Sequence, residues 1–350
     1  MERNSTSNHS FLDEDSETDV TESEIEKFIL IDKLEKYIFS PGTIMWKRNF
    51  VLASPGDLLV HQYFEKFKKL TDRLPCEYIL NPINISRFKD LFSDFKLATK
   101  FKTKNQQRIK LLKWFKSLYW EGEKKAVLAE LMEAAHDVFY DLPETLDVKL
   151  KTSNSDLFRV YSLKASILVM LSLSVGIIDF KYLKDLYHLP FFFYIGLKEP
   201  LSFNHVEAFK YEWRADGMAI DYLEKNDVAQ IEIDSFSENS KTSLNIYKAF
   251  YKAEENTNEV YNVFAKAHER FSGLGKPKGL NQYELSDIEI LVVFVCENFG
   301  VEDTNPSVED YGRKLGNRVL THKSLPARIK NILQGVFEKL DEAEELLLGA

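Results

Sequence analysis

Residues 267–280 read AHERFSGLGKPKGL. His268, Glu269 and Arg270 stand side by side: an imidazole, a carboxylate and a guanidinium. Gly273, Gly275 and Gly279 follow, with Lys276, Pro277 and Lys278 among them. An imidazole beside acids can hold a metal ion or move a proton. Glycines allow positive φ and a close approach of the backbone to a ligand. Backbone N–H groups and two lysines can then meet an anion or an acidic protein surface. The same residues also suit a plain turn between two helices. Pro277 would stiffen that turn, and His268 would be a hydrogen-bonded residue at a helix end. Which reading holds depends on the groups that the fold brings to this loop.

The elements around the loop read as helical. Apolar periodicity predicts helices over about 155–176, 179–188, 204–225, 243–253, 257–271, 285–299 and 324–347. No long run alternates with period two, so residues 151–350 are expected to form an all-helical domain. Residues 93–150 read as a helical connector. Residues 27–92 read as a small mixed α/β module. Its strand-like runs KFILIDKLEKYIF and GTIMWKRNFVLAS are broken at Pro41-Gly42 and Pro55-Gly56. A helix over DLLVHQYFEKFKKL, a strand at CEYIL and a helix opening at NISRFKDLF complete it. The fold class expected is mainly α, preceded by this module.

Composition narrows the setting. The chain has 350 residues, 44% of them hydrophobic, enough for a sizeable core. Its two cysteines, Cys76 and Cys296, lie far apart with no neighbouring ligand at metal spacing. A reducing compartment fits best. Residues 1–26 hold no apolar run of the kind a secretory signal carries. The longest apolar stretch, ASILVMLSLSVGII at 165–178, is 14 residues with three serines. It is too short to span a bilayer and is expected as a buried core helix. A cytoplasmic protein without membrane insertion follows.

Charge is uneven. Residues 1–26 carry nine acids and one arginine, −8 of a net −9. A segment so poor in apolar residues cannot bury enough surface to order itself. It reads as a disordered acidic tail, either a solubilising leader or an interaction arm. Between Lys96 and Lys125 stand ten Lys or Arg and two acids, with Trp114, Phe115, Tyr119 and Trp120 interleaved. Such a stretch can bind nucleotides by charge and stacking. Ile109, Leu112, Phe115 and Tyr119 also share one helical face, which is ordinary packing. The packing reading predicts no nucleic-acid partner, and the acidic tail becomes a candidate partner for this basic stretch.

The helix order and the loop together resemble the HD-GYP domain, the metal-dependent cyclic di-GMP phosphodiesterase family of bacterial signalling. The family carries a histidine pair followed by Glu-Arg, then Asp-Gly-x-Gly-Tyr-Pro-x-Gly-Leu. Here His268, Glu269, Arg270, Gly273, Gly275, Pro277, Gly279 and Leu280 fall in step. DLFRVYSL at 156–163 resembles the opening helix, with Arg159 in place. PFFFYIGL at 190–197 resembles the His-Asp stretch. WRADGMAIDYL at 213–223 resembles the later histidine helix, and ILVVFVCENF at 290–299 the closing one. The module at 27–92 resembles the small module that precedes many such domains.

The resemblance implies a phosphodiesterase fold that has lost its metal centre. Its ligand places hold Asp156, Phe193, Tyr194, Trp213, Ala267 and about Val295, with His268 alone unaltered. Phe, Trp, Ala and Val cannot coordinate a cation. No cofactor and no hydrolysis are implied, and the domain would serve as a binding or adaptor component. Two other readings stay open. One is a sensor that binds cyclic di-GMP without cutting it, through Arg159, Arg270 and Lys276. The other is an active phosphodiesterase built on Asp156, His268 and Asp216. For the adaptor and the sensor the binding residues implied are Arg159, His268, Glu269, Arg270, Gly273, Gly275, Lys276, Pro277 and Lys278, facing a signalling protein or cyclic di-GMP.

Overall fold

The computed structural model of the chain describes residues 28–46, 50–54, 56–59, 65, 67–78, 82–121, 127–153, 155–197, 218–252, 259–275, 277–300, 311–323 and 325–337. The acidic tail, Trp213, Asp216 and Lys276 lie outside them.

Strands β1 (Phe28–Leu30), β2 (Gly42–Trp46), β3 (Phe50–Ala53) and β4 (Arg73–Tyr78) form an antiparallel sheet in the order β1-β4-β2-β3. Ile29 opposes Leu74, and Ile44 opposes Cys76. Side chains alternate along a strand, so this register gathers the four on one face. Ile31 and Leu34 of the short helix α1 (Ile31–Leu34) cover that face. The helix falls inside a run that reads as strand. Ile31 and Leu34 are three apart, the spacing at which a helical turn buries both. Six buried residues are a small core, and the module leans on the helical body.

The body begins with α2 (Pro82–Leu97), α3 (Phe101–Glu121), α4 (Val127–Phe139) and α5 (Glu144–Ser153). The expected module boundary at 92/93 falls within α2. Phe88, Phe92 and Phe95 of α2 join Trp114 and Phe115 of α3 and Phe139 of α4 in one large core. The connector is therefore packed structure rather than a spacer. Trp114 and Phe115 face inward, with Trp114 4.3 Å from Phe88 between ring centroids, so neither offers a stacking surface.

Helix α6 (Ser155–Ser174) runs through the middle of the body. From Leu157 onward every residue except Arg159 is buried. Ser162, Ser166 and Ser174 donate to carbonyls four residues back at 2.7–2.9 Å, which satisfies their hydroxyls inside the core. This is the core helix read from the apolar stretch. It is long and apolar enough to cross a membrane, yet 94% of that window is buried inside the protein. The body continues with α7 (Phe180–His188), a 3-10 turn (Leu189–Phe192), α8 (Met218–Lys225), α9 (Gln230–Ser237), α10 (Asn239–Tyr251), α11 (Glu259–Phe264), α12 (Asp287–Asn298), α13 (Tyr311–Thr321) and α14 (Ala327–Phe337), of which α7, the 3-10 turn, α12 and α14 pack against α6. The fold is mainly α with a small α/β module, as the sequence predicts.

Module and body meet at a buried carboxylate. Glu133 of α4 accepts the backbone N–H of Phe39 at 2.9 Å and of Ile38 at 3.3 Å. Burial pushes its pKa up to about 8, and those two donors restrain the rise. Folded Glu133 thus keeps a proton that the unfolded chain has already lost above the usual carboxylate range. Its contribution to stability is full at low pH and lost as pH rises through about 8. Glu133→Gln stays neutral throughout. Between about pH 6 and 9 the stability difference should move by about 2 kcal/mol in the variant's favour. Urea unfolding at each pH reads this, and parallel pH curves would exclude it.

Candidate functional site

His268 sits in the turn that follows α11, not within a helix as the spacing predicts. Helix α11 ends at Phe264, and the chain turns through Ala265–His268 into the loop. His268 is 7% exposed. The rings of Phe193 and Tyr194 lie edge-on to it, with centroids 6.1 and 6.0 Å away. Phe193 stacks on Phe264 from its other side at 5.9 Å. Ala267 and Val295 are fully buried. The fold thus brings Phe193, Tyr194 and His268 into one packed cluster from distant parts of the chain.

The turn that carries the two aromatics is fixed to α10. The Phe193 carbonyl accepts from Asn239 Nδ2 at 2.9 Å and from Ser243 Oγ at 3.2 Å. Gly196 N–H donates to Ser243 Oγ at 2.9 Å. A Cβ at Gly196 would lie 2.7 Å from the Ser243 nitrogen, so only glycine lets the turn come this close.

Lys164 enters the cluster from α6. It is 2% exposed, its Nζ donates to the Cys296 carbonyl at 3.1 Å, and it sits 5.5 Å from the Tyr194 ring centroid. Burial pushes the His268 pKa down to about 4. The charge of Lys164 adds to this, the Phe193 backbone opposes it, and Arg270 adds a smaller push. Nothing in the sequence reading singled out Lys164. The available signal is one lysine in the otherwise uncharged run from Val160 to Ile178. A charge placed there must find a buried acceptor.

The glycine loop is closed on itself. Glu269 is fully buried and accepts the backbone N–H of Lys278 through Oε1 at 2.8 Å and of Leu280 through Oε2 at 2.7 Å. Gly273 N–H donates to the Arg270 carbonyl at 2.8 Å. Gly273 and Gly279 have φ of 79° and 67°, the left-handed region. A Cβ on Gly275 would fall well inside 3.0 Å of the Glu269 and Arg270 backbone. The three glycines therefore have a local cause: the loop folds back over its own first residues and buckles onto Glu269. The expectation that the loop offers its N–H groups to an outside anion does not survive for 273, 278 and 280. Their donors are already used. Pro277, Lys278 and Leu274 are exposed on its rim.

The two arginines part company. Arg159 pairs with Asp57 of the module at 3.2 Å and with Asp156 at 3.9 Å, so it serves the seam between module and body. Arg270 is 8% exposed, and its Nε and Nη1 are buried without a hydrogen-bond partner. Nearby Glu297 is pushed up to about 7 by burial, with Arg270 opposing. Its Oε2 is buried without a partner as well.

No protein-family model, curated protein or solved structure matches this chain. Fold and cluster define a mainly helical protein with an α/β module and a buried histidine–lysine–aromatic centre. No group of three or more His, Cys, Asp or Glu among the described residues is arranged to hold a metal ion.

Proposed function

We propose that this chain works by binding rather than by catalysis, as a cytoplasmic adaptor in cyclic di-GMP signalling built on an HD-GYP-like body. The observation that supports this reading is the occupation of the cluster around His268. Phe193 and Tyr194 fill the space where the resemblance would put a histidine and an aspartate. The Lys164 ammonium stands among them. A divalent cation brought beside that buried ammonium meets like charge in a weakly screened interior. The aromatic rings offer no lone pair in return.

Purified protein grown with supplements of Mn, Fe, Zn and Ni is expected to hold none of them in stoichiometric amount. It should leave cyclic di-GMP intact. Two metals per chain by elemental analysis, or release of the linear dinucleotide, would falsify the reading.

The sensor reading keeps one supporting observation, the unpartnered donors of Arg270. A guanidinium with buried N–H groups suits a phosphate or carboxylate oxygen. Calorimetric titration with cyclic di-GMP separates sensor from adaptor. A sensor binds, and Arg270→Gln weakens it by about tenfold or more. An adaptor gives no heat with either chain. Arg159 is already paired with Asp57 and Asp156, so a nucleotide would have to draw it from them.

A further inference from the structure

The basic connector presents a cationic face that the body leaves uncompensated. Helix α3 buries Leu111, Trp114 and Phe115. Lys102, Gln106, Ile109 and Lys113 follow at steps of four, three and four, so they form one stripe on the opposite side. Lys110 borders the stripe, and Lys100 and Lys104 lie near the start of α3 on the side of Leu111 and Phe115. None of these five lysines has a carboxylate partner among the described residues. Ile109 on the stripe is 43% exposed, and Leu97 and Phe101, at the turn into α3, are each 73% exposed.

The chain holds a segment of matching chemistry. Eight acids lie between Asp13 and Glu26, with no Lys or Arg between Asn4 and Glu26. Phe11, Leu12, Val20 and Ile25 are spaced among or just before them. The segment joins the fold at Phe28, the first residue of β1. From there to Asp13 is 15 residues, a reach of up to about 50 Å. A compact chain of this length has a radius of gyration of about 20 Å. An extended segment of that reach can pass from β1 over a large part of the body's surface.

We propose that residues 11–26 dock on the stripe of α3 within the same chain, pairing their carboxylates with Lys102, Lys110 and Lys113 and their apolar residues with Ile109, Phe101 and Leu97. Each exposed ion pair is weak alone, about 1 kcal/mol or less. Several held by one tether act together, because the tether keeps the segment at an effective concentration near millimolar. The contact is screened by salt. An acidic or anionic partner that needs this face must displace the segment first. The inference rests on α3 and the tail, and stands whether or not the body binds cyclic di-GMP.

Carbodiimide coupling of the full chain joins carboxylates to lysines in direct contact. With the monomer isolated and its peptides mapped by mass spectrometry, links are expected from acids at 13–26 to Lys102, Lys110 and Lys113. They should fall by about fivefold or more between low salt and ~1 M NaCl. The triple variants K102E/K110E/K113E and K102Q/K110Q/K113Q should each lose them. The neutral set covers the case in which reversed charge disturbs folding, and the thermal transition of each checks that. Links spread evenly over surface lysines, links unchanged in both variants, or links found only between two chains would each overturn the proposal.

Discussion

Alanine in place of Gly275 should destabilise the fold by about 3 kcal/mol or more, the largest effect of any single methyl group in the loop. The added Cβ would stand well inside 3.0 Å of the Glu269 carbonyl carbon and the Arg270 nitrogen. These are backbone atoms at a turn, with no flexible side chain to swing aside. The loop must lift away, and doing so parts Glu269 from Lys278 and Leu280. The other glycines rank below it for stated reasons. Gly279 combines φ of 67° with a neighbouring carbonyl oxygen 2.9 Å from its added Cβ. Gly273 has φ of 79° but only ordinary contacts, so its alanine should cost about 1–2 kcal/mol. Gly176, at φ 101° in open space, is the control for backbone strain without a clash. Urea unfolding of the four variants gives the order, and Gly275→Ala as stable as the parent would overturn the buckled loop.

The loop shows how far residue types alone carry a reading. Its glycines and proline were legible, because so few residues tolerate such a backbone. Its purpose was not. Two lysines and free N–H groups make a binding loop on paper, yet Glu269 takes two of those donors, at Lys278 and Leu280. That carboxylate stands nine and eleven positions before its partners, a separation no local motif announces. The core helix was legible for a different reason: from 165 to 178 the chain carries no charge. Lys164 at its edge passes for an ordinary helix residue, since only the fold sets the Cys296 carbonyl beside it. Glu133 is hidden in the same way, bonding to Phe39 across 94 positions. Apolar periodicity thus reports which faces are buried. It is silent about a polar group buried with its partner, because that partner comes from another element.

Removing the Glu269 carboxylate should destabilise the fold by about 2–4 kcal/mol. Glu269→Ala leaves the N–H groups of Lys278 and Leu280 without acceptors and opens a void at a fully buried position. Leu280 is half-buried and pays the larger share, while the exposed Lys278 can turn its N–H toward water. Glu269→Gln should lose less, since its amide oxygen keeps one donor and only its NH2 faces the other. The sharper test is the pair with Gly275→Ala. If the glycine exists to let the chain close onto this carboxylate, the alanine at 275 has already broken the two bonds that Glu269 makes. The double variant should then be more stable than the sum of the two single effects allows, by about 1–3 kcal/mol. Strict additivity would mean that the carboxylate holds something other than this loop, and that the glycine and the acid are neighbours without a shared task.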